Sequence, residues 1–220
     1  MEKINSKKYL IKKKYKLIEY YGLDLSNKNL KHIPHFKIDC EKINFINLNN
    51  NQLKEINKNI YQLNNVIEID LGNNFFDELN LNLNLFPKLK VLKIYGNKLE
   101  KIELSTNKKC KLEYLDLSYN KLKSFQIENL TKLKKIKLHF NNFIYFPKSL
   151  EYLKFLEEID LSSNKLAKFP SNFKISKNLK FLNLANNKIT NLNFLNKTKN
   201  NLKILDLKNN NIKNINNSFI

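Results

Sequence analysis

The stretch "LEYLDLSYNKL", residues 112–122, has Leu112, Leu115, Leu117 and Leu122 spaced around a single asparagine, Asn120. Seven other segments repeat it: "INFINLNNNQL" (43–53), "VIEIDLGNNFF" (66–76), "LKVLKIYGNKL" (89–99), "LKKIKLHFNNF" (133–143), "LEEIDLSSNKL" (156–166), "LKFLNLANNKI" (179–189) and "LKILDLKNNNI" (202–212). A degenerate first copy ends in "LDLSNKNL" (23–30), with Lys28 at the asparagine position, which makes nine. The asparagines fall at 51, 74, 97, 120, 141, 164, 187 and 210, every 23 residues except for one step of 21 between Asn120 and Asn141. A fixed period of this length is the mark of a stacked repeat.

The spacing inside each copy has a physical reading. Successive side chains of a strand point to opposite faces, so Leu115 and Leu117 face inward while Tyr114, Asp116 and Ser118 face out. A single copy cannot bury its leucines, but neighbours stacked about 4.8 Å apart in a parallel sheet can. The asparagine amide both donates and accepts, which suits it to satisfy buried main-chain groups where the chain turns away.

The pattern resembles the leucine-rich repeat family over about residues 20–215. The 23-residue period, with "HIP" (32–34), "YFP" (145–147) and "KFP" (168–170) after the motif, is similar to intracellular repeats of the Ras-suppressor type. The resemblance implies an α/β fold: a curved, right-handed solenoid of about nine repeats, with a concave parallel sheet and short helical or extended convex segments. It also implies a non-enzymatic scaffold or interaction module that binds a protein partner on its concave face.

The ends read differently. Ile4, Ile11 and Ile18 recur at sevenfold spacing beside Leu10, Leu17 and Tyr21, so residues 1–19 are expected to hold a basic amphipathic helix capping the repeat domain, residues 20–220. A helix of this kind also suits a membrane surface. The chain stops at Ile220 soon after the last motif, so an uncapped edge, an oligomer through that edge, or a longer protein are all open readings.

The net charge is +20, from 40 basic and 20 acidic residues, and every basic residue is lysine. Asparagine also occurs 40 times. Both Lys and Asn have A/T-rich codons, so codon bias competes with nucleic-acid or anionic-membrane binding as the source of the charge. The missing arginines weaken phosphate and base recognition, which favours a bidentate fork. No run of 18 apolar residues is present, and the basic N-terminus lacks the continuous apolar core of a secretory signal. Cys40 and Cys110, three repeats apart, are too distant for a disulfide and suit the cytosol.

No constellation points to catalysis. Gly22, Gly72 and Gly96 are isolated, so no phosphate-cradling loop is offered. His32 and His35 lack further ligands nearby, so neither a metal nor a cofactor is expected. The outward strand positions are therefore the candidate surface. Their five columns carry eight lysines and nine acids, a net of −1, so the remaining residues carry about +21. The signs alternate along the columns: Asp70, Lys93, Asp116, Lys137, Asp160, and Lys90, Glu113, Lys134, Glu157, Lys180. Adjacent strands can pair them. Aromatic residues stand out on this face: Phe45, Tyr95, Tyr114, Tyr119, Phe140 and Phe181, with His139. Tyr95, Tyr114, Tyr119, His139 and Phe140 lie in three consecutive repeats and are expected to form a contact cluster. The shortened repeat there is expected to perturb the local curvature. A second candidate is the lysine flank after the asparagines, Lys121, Lys123, Lys165, Lys168, Lys188 and Lys213, read as free of matching acids and suited to a polyanion.

Overall fold

The computed structural model describes residues 6–15, 18–107, 110–127, 129–167, 176–192 and 201–213. The strands are β1 (Leu10–Tyr15), β2 (Ile18–Asp24), β3 (Ile43–Asn47), β4 (Glu68–Asp70), β5 (Glu78–Asn82), β6 (Val91–Lys93), β7 (Lys101–Ser105), β8 (Tyr114–Asp116), β9 (Lys135–Lys137), β10 (Glu158–Asp160), β11 (Phe181–Asn183) and β12 (Ile204–Asp206). β5 and β7 pair with each other on the return path of their repeats, and the other ten strands form one sheet. From β2 onward that sheet is parallel and follows sequence order.

The register keeps equivalent residues opposite one another. Ile69 pairs with Leu92, Leu92 with Leu115, Leu115 with Ile136, and Ile136 with Ile159. These side chains are at most 3 % exposed. Each contributes about 1.5–3 kcal/mol relative to exposure. Phe76 and Phe143, two residues past their repeat asparagines, fill the core between sheet and return path. The return segments are short 3-10 turns or extended pieces, as the repeat pattern predicts. Lys58–Gln62 and Leu83–Leu85 start where Asn57 and Asn82 accept a main-chain N–H two residues on.

The asparagines form a ladder through the solenoid. Asn120 Nδ2 donates to the carbonyls of Leu117 and Ser118 in its own repeat and of Ile94 in the one before, at 3.0–3.1 Å. Its Oδ1 accepts from the N–H of Leu99 at 3.0 Å. Asn51, Asn74, Asn97, Asn141, Asn164, Asn187 and Asn210 repeat the pattern. Each amide thus satisfies main-chain groups of two successive repeats. Lys28 needs no such reach, because the strand before β2 is an antiparallel partner; its own N–H donates to Asn51.

The N-terminus departs from the expected helix. Ser6–Tyr9 is a 3-10 turn, and β1 pairs antiparallel with β2 over six residues. The sevenfold isoleucine spacing gave way to strand pairing with β2. Ile11, Tyr15, Ile18, Tyr20 and Tyr21 are β-branched or aromatic, and a neighbouring strand edge supplies the hydrogen bonds a local helix would have made. β1 covers that edge and is itself an edge strand carrying Lys12, Lys13 and Lys14, a device that discourages further pairing. The expected bare C-terminal edge involves residues 214–220, outside the described residues.

The two-residue shortening leaves the main sheet intact. β8 pairs with β9 in the common register, and Asn141 Nδ2 still reaches the Leu117 carbonyl at 2.9 Å. The missing length is absorbed on the return path, where residues 124–127 do not extend the β5–β7 sheet.

Asn120→Ala removes one acceptor and three donated bonds in a buried turn. It is expected to lower unfolding free energy by about 2–4 kcal/mol, measured by urea denaturation, whereas Asn142→Ala, at a half-buried neighbour whose amide reaches only the Lys121 carbonyl at 3.5 Å, shifts it by less than about 0.5 kcal/mol.

Candidate functional site

The outward positions of the main sheet are less free than their charges suggest. In the central column, Asp24, Asn47, Asp70, Asp116, Asp160, Asn183 and Asp206 each accept the N–H of the residue two further on, at 2.9–3.1 Å. Ser26, Ser118 and Ser162 add their hydroxyls. These side chains stabilise the strand exit, the local chemistry that favours Asp and Asn in turns. Only Lys93 and Lys137 break the pattern.

The alternating charges pair along the edge column. Lys134 lies 2.8 Å from Glu113, Lys90 lies 3.8 Å from Glu113, and Lys180 lies 2.7 Å from Glu157. The hydrogen bond from Lys134 holds the Glu113 carboxyl below its ordinary range. In the inner columns Lys135 meets Glu158, and Lys93 meets Glu68 with Asp70 at 3.9 Å. Lys137 instead sits over the Tyr114 ring, 5.9 Å from its centroid.

The expected aromatic cluster separates into two kinds. Tyr119, His139 and Phe140 meet. Tyr119 stacks on Phe140 with centroids 4.5 Å apart and planes 12° apart, and His139 stands edge-on to Tyr119 at 5.1 Å. Tyr119 and Phe140 are 51 % and 49 % exposed. His139 Nδ1 is buried 3.6 Å from Asp160 Oδ2, too far for a hydrogen bond.

Tyr95 and Tyr114 do not join this group. The Tyr95 ring covers Gly72, and its hydroxyl accepts from Asn49 at 2.6 Å. Tyr114 donates to Asp116 at 3.1 Å; burial and then the Asp116 charge push its phenol well above the ordinary range. Phe45 packs over Gly22 in the same way. A Cβ at either glycine would collide with the ring above it. Phe181 is half-buried two repeats beyond Phe140, opposite the exposed Ile204. Cross-strand packing thus engages Phe45, Tyr95 and Tyr114.

The backbone distinguishes Tyr119 and Phe140 further. The residue before each ladder asparagine has a positive φ: Asn50, Asn73, Gly96, Tyr119, Phe140, Ser163, Asn186 and Asn209, all between 48° and 64°. Asn and Gly tolerate this region, whereas a bulky side chain there is strained. The Asn- and Gly-rich column was the available sequence signal for that strain.

The lysine flank is only partly as expected. Lys123, Lys165, Lys188 and Lys213 are exposed. Lys121 lies 3.9 Å from Glu100 of the preceding repeat, so it does have a matching acid. Lys168 lies outside the described residues. Cys40 and Cys110 are free, and burial, then the Asp39 charge, raises the Cys40 thiol.

A model of the Leucine Rich Repeat matches residues 111–133 and 155–174. The LRIM1/APL1C complex contains a chain that superposes with a TM-score of 0.71 at 26 % identity over 86 % of this chain. The chain is a leucine-rich-repeat protein. Human 5T4 (trophoblast glycoprotein) superposes with a TM-score of 0.69 at 19 % identity over 86 % of this chain and 77 % of its own. The functional domain of InlJ from Listeria monocytogenes gives 0.56 at 19 % identity over 89 % of this chain. The repeat chain spans 34 % of the LRIM1/APL1C match and 45 % of the InlJ match. No curated protein sequence matches it significantly. Leucine-rich-repeat folds are commonly protein-interaction modules and typically not enzymes.

Asp70 gives a pH test of the central column. Burial, opposed by the Gly72 N–H and Lys93, raises its carboxyl above the ordinary value. A carboxyl raised on folding binds its proton more tightly in the folded state. It therefore disfavours folding at neutral pH; that penalty fades as pH falls through the raised folded value and is gone below the unfolded value of about 3.9. Asn serves the same turn at Asn47 and Asn183. Asp70→Asn is thus expected to raise Tm at pH 7 by about 1–4 °C and to leave it nearly unchanged at low pH, as thermal melts at both pH values would record.

Proposed function

We infer that this leucine-rich-repeat protein is a non-enzymatic interaction module that engages a protein partner on its concave face, with Tyr119, Phe140 and His139 at the centre of contact. One observation carries this reading. Two bulky aromatic residues occupy a left-handed backbone position that the neighbouring repeats fill with Asn, Gly or Ser, and they stay half exposed. A non-glycine residue in that region costs about 1–3 kcal/mol, and such strain gathers at binding sites. Exposed aromatics in rigid settings are the common anchors of protein interfaces. Support for a protein partner also comes from the LRIM1/APL1C complex, whose repeat chain shares the fold. The two free cysteines suit the cytosol, where thiols stay reduced.

Replacing Tyr119 and Phe140 together with Asn separates binding from folding. Relief of the left-handed strain, about 1 kcal/mol per residue, offsets loss of the stacked pair, about 0.5–1.5 kcal/mol. Stability is therefore expected to hold or rise slightly in a denaturant titration. Partners recovered by affinity purification from the native cell are expected to fall by about tenfold or more. Undiminished recovery with the folded double variant would refute the aromatic contact.

A further inference from the structure

The return path carries a second surface that the concave reading does not use. β5 and β7 form a five-residue parallel ladder from Glu78–Lys101 to Asn82–Ser105. The equivalent residues of the next repeat, "SFQI" (124–127), keep the alternation of β7, with Phe125 and Ile127 buried as Ile102 and Leu104 are. Yet among the described residues no main-chain hydrogen bond joins β7 to residues 123–127. This is the repeat shortened by two residues.

A groove of about 1030 Å³ opens there, with the whole of β7 on one side and residues 123–127 on the other. Phe143 and Phe146 also line it. Tyr145 and Tyr152 stand at its margin, 70 % and 55 % exposed. One end is bridged by Asn129 Nδ2 to the Thr106 carbonyl at 3.5 Å. The Ser149 hydroxyl donates to the Phe125 carbonyl and ties the 124–127 segment to Lys148–Tyr152 rather than to β7. Five residues of strand edge span about 16 Å, the length of a short extended peptide.

The geometry points to an acidic, extended peptide of a partner protein as the occupant of this groove, added as a third strand beside β7. A sheet edge offers main-chain N–H and C=O groups to an incoming strand, and the apolar lining takes alternate side chains. The charge argues for acid. Lys101, Lys123 and Lys148 line the groove against Glu100 and Glu103, and Glu100 already faces Lys121. Beyond it lies a chain of net charge +20 whose concave face is close to neutral. A polynucleotide would meet the lysines and tyrosines but has no strand to pair with β7.

The test uses the full chain and a fluorescent peptide of alternating aspartate and valine, about eight residues long. The Asp-Val peptide is expected to bind by anisotropy, a Lys-Val peptide is not, and amide exchange is expected to slow at residues 101–105. Lys123→Glu with Lys148→Glu should weaken binding by about tenfold or more while the thermal melt is unchanged. The Tyr119→Asn, Phe140→Asn variant should bind the peptide normally, which keeps this site distinct from the concave one. The proposal fails if the Asp-Val peptide does not bind, if the Lys-Val peptide binds equally, or if protection appears only on the concave strands. It also fails if oligouridylate binds at the groove and the peptide does not.

Discussion

Everything in this fold hangs on one buried side-chain amide used repeatedly. In an ordinary parallel sheet, crossover connections are long and independent of one another. Here each chain must turn sharply at the end of a three-residue strand, and the turn leaves main-chain groups buried beside the core. An asparagine amide answers both needs at once, with its donors to carbonyls and its acceptor to an N–H of the previous repeat. Because every amide spans two repeats, the ladder also fixes their register. Shortening one repeat by two residues leaves this ladder untouched and pushes the change to the return path.

Above that ladder, much of the concave face is self-satisfied. Asp and Asn of the central column accept main-chain N–H groups, the edge lysines and glutamates pair, and Phe45 and Tyr95 cover glycines. A surface whose polar groups already have partners gains little by exchanging them for new ones. The Tyr119–Phe140 stack differs. Its rings stand half exposed on a backbone that would be more comfortable with asparagine, so folding alone gives no reason for them.

The short repeat links the two surfaces. Tyr119 precedes its first asparagine and Phe140 its last, so the strained aromatic pair brackets the shortening on the sheet side. On the return side the β5–β7 sheet stops at this same repeat, and a groove lies beside it. A regular solenoid presents similar surfaces along its length, and a single irregularity creates a place that differs from the rest on both faces.

Periodicity made the core leucines, the ladder asparagines, the strand order and the columns of outward residues legible from residues alone, because each follows from the period of 23 and the alternation of a strand. The paired edge charges followed from the same register. Other features depended on neighbours far away in sequence. The N-terminal spacing fits a helix, but the open edge of β2 made a strand of residues 10–15, Ile11 among them. Tyr114, Tyr95 and Tyr119 look alike in the columns. Lys137 and Asn49, each from another repeat, engage the first two, and the left-handed turn leaves the third projecting beside Phe140. Local pattern decides which way a side chain points; whether it is then available is settled by the repeat packed next to it.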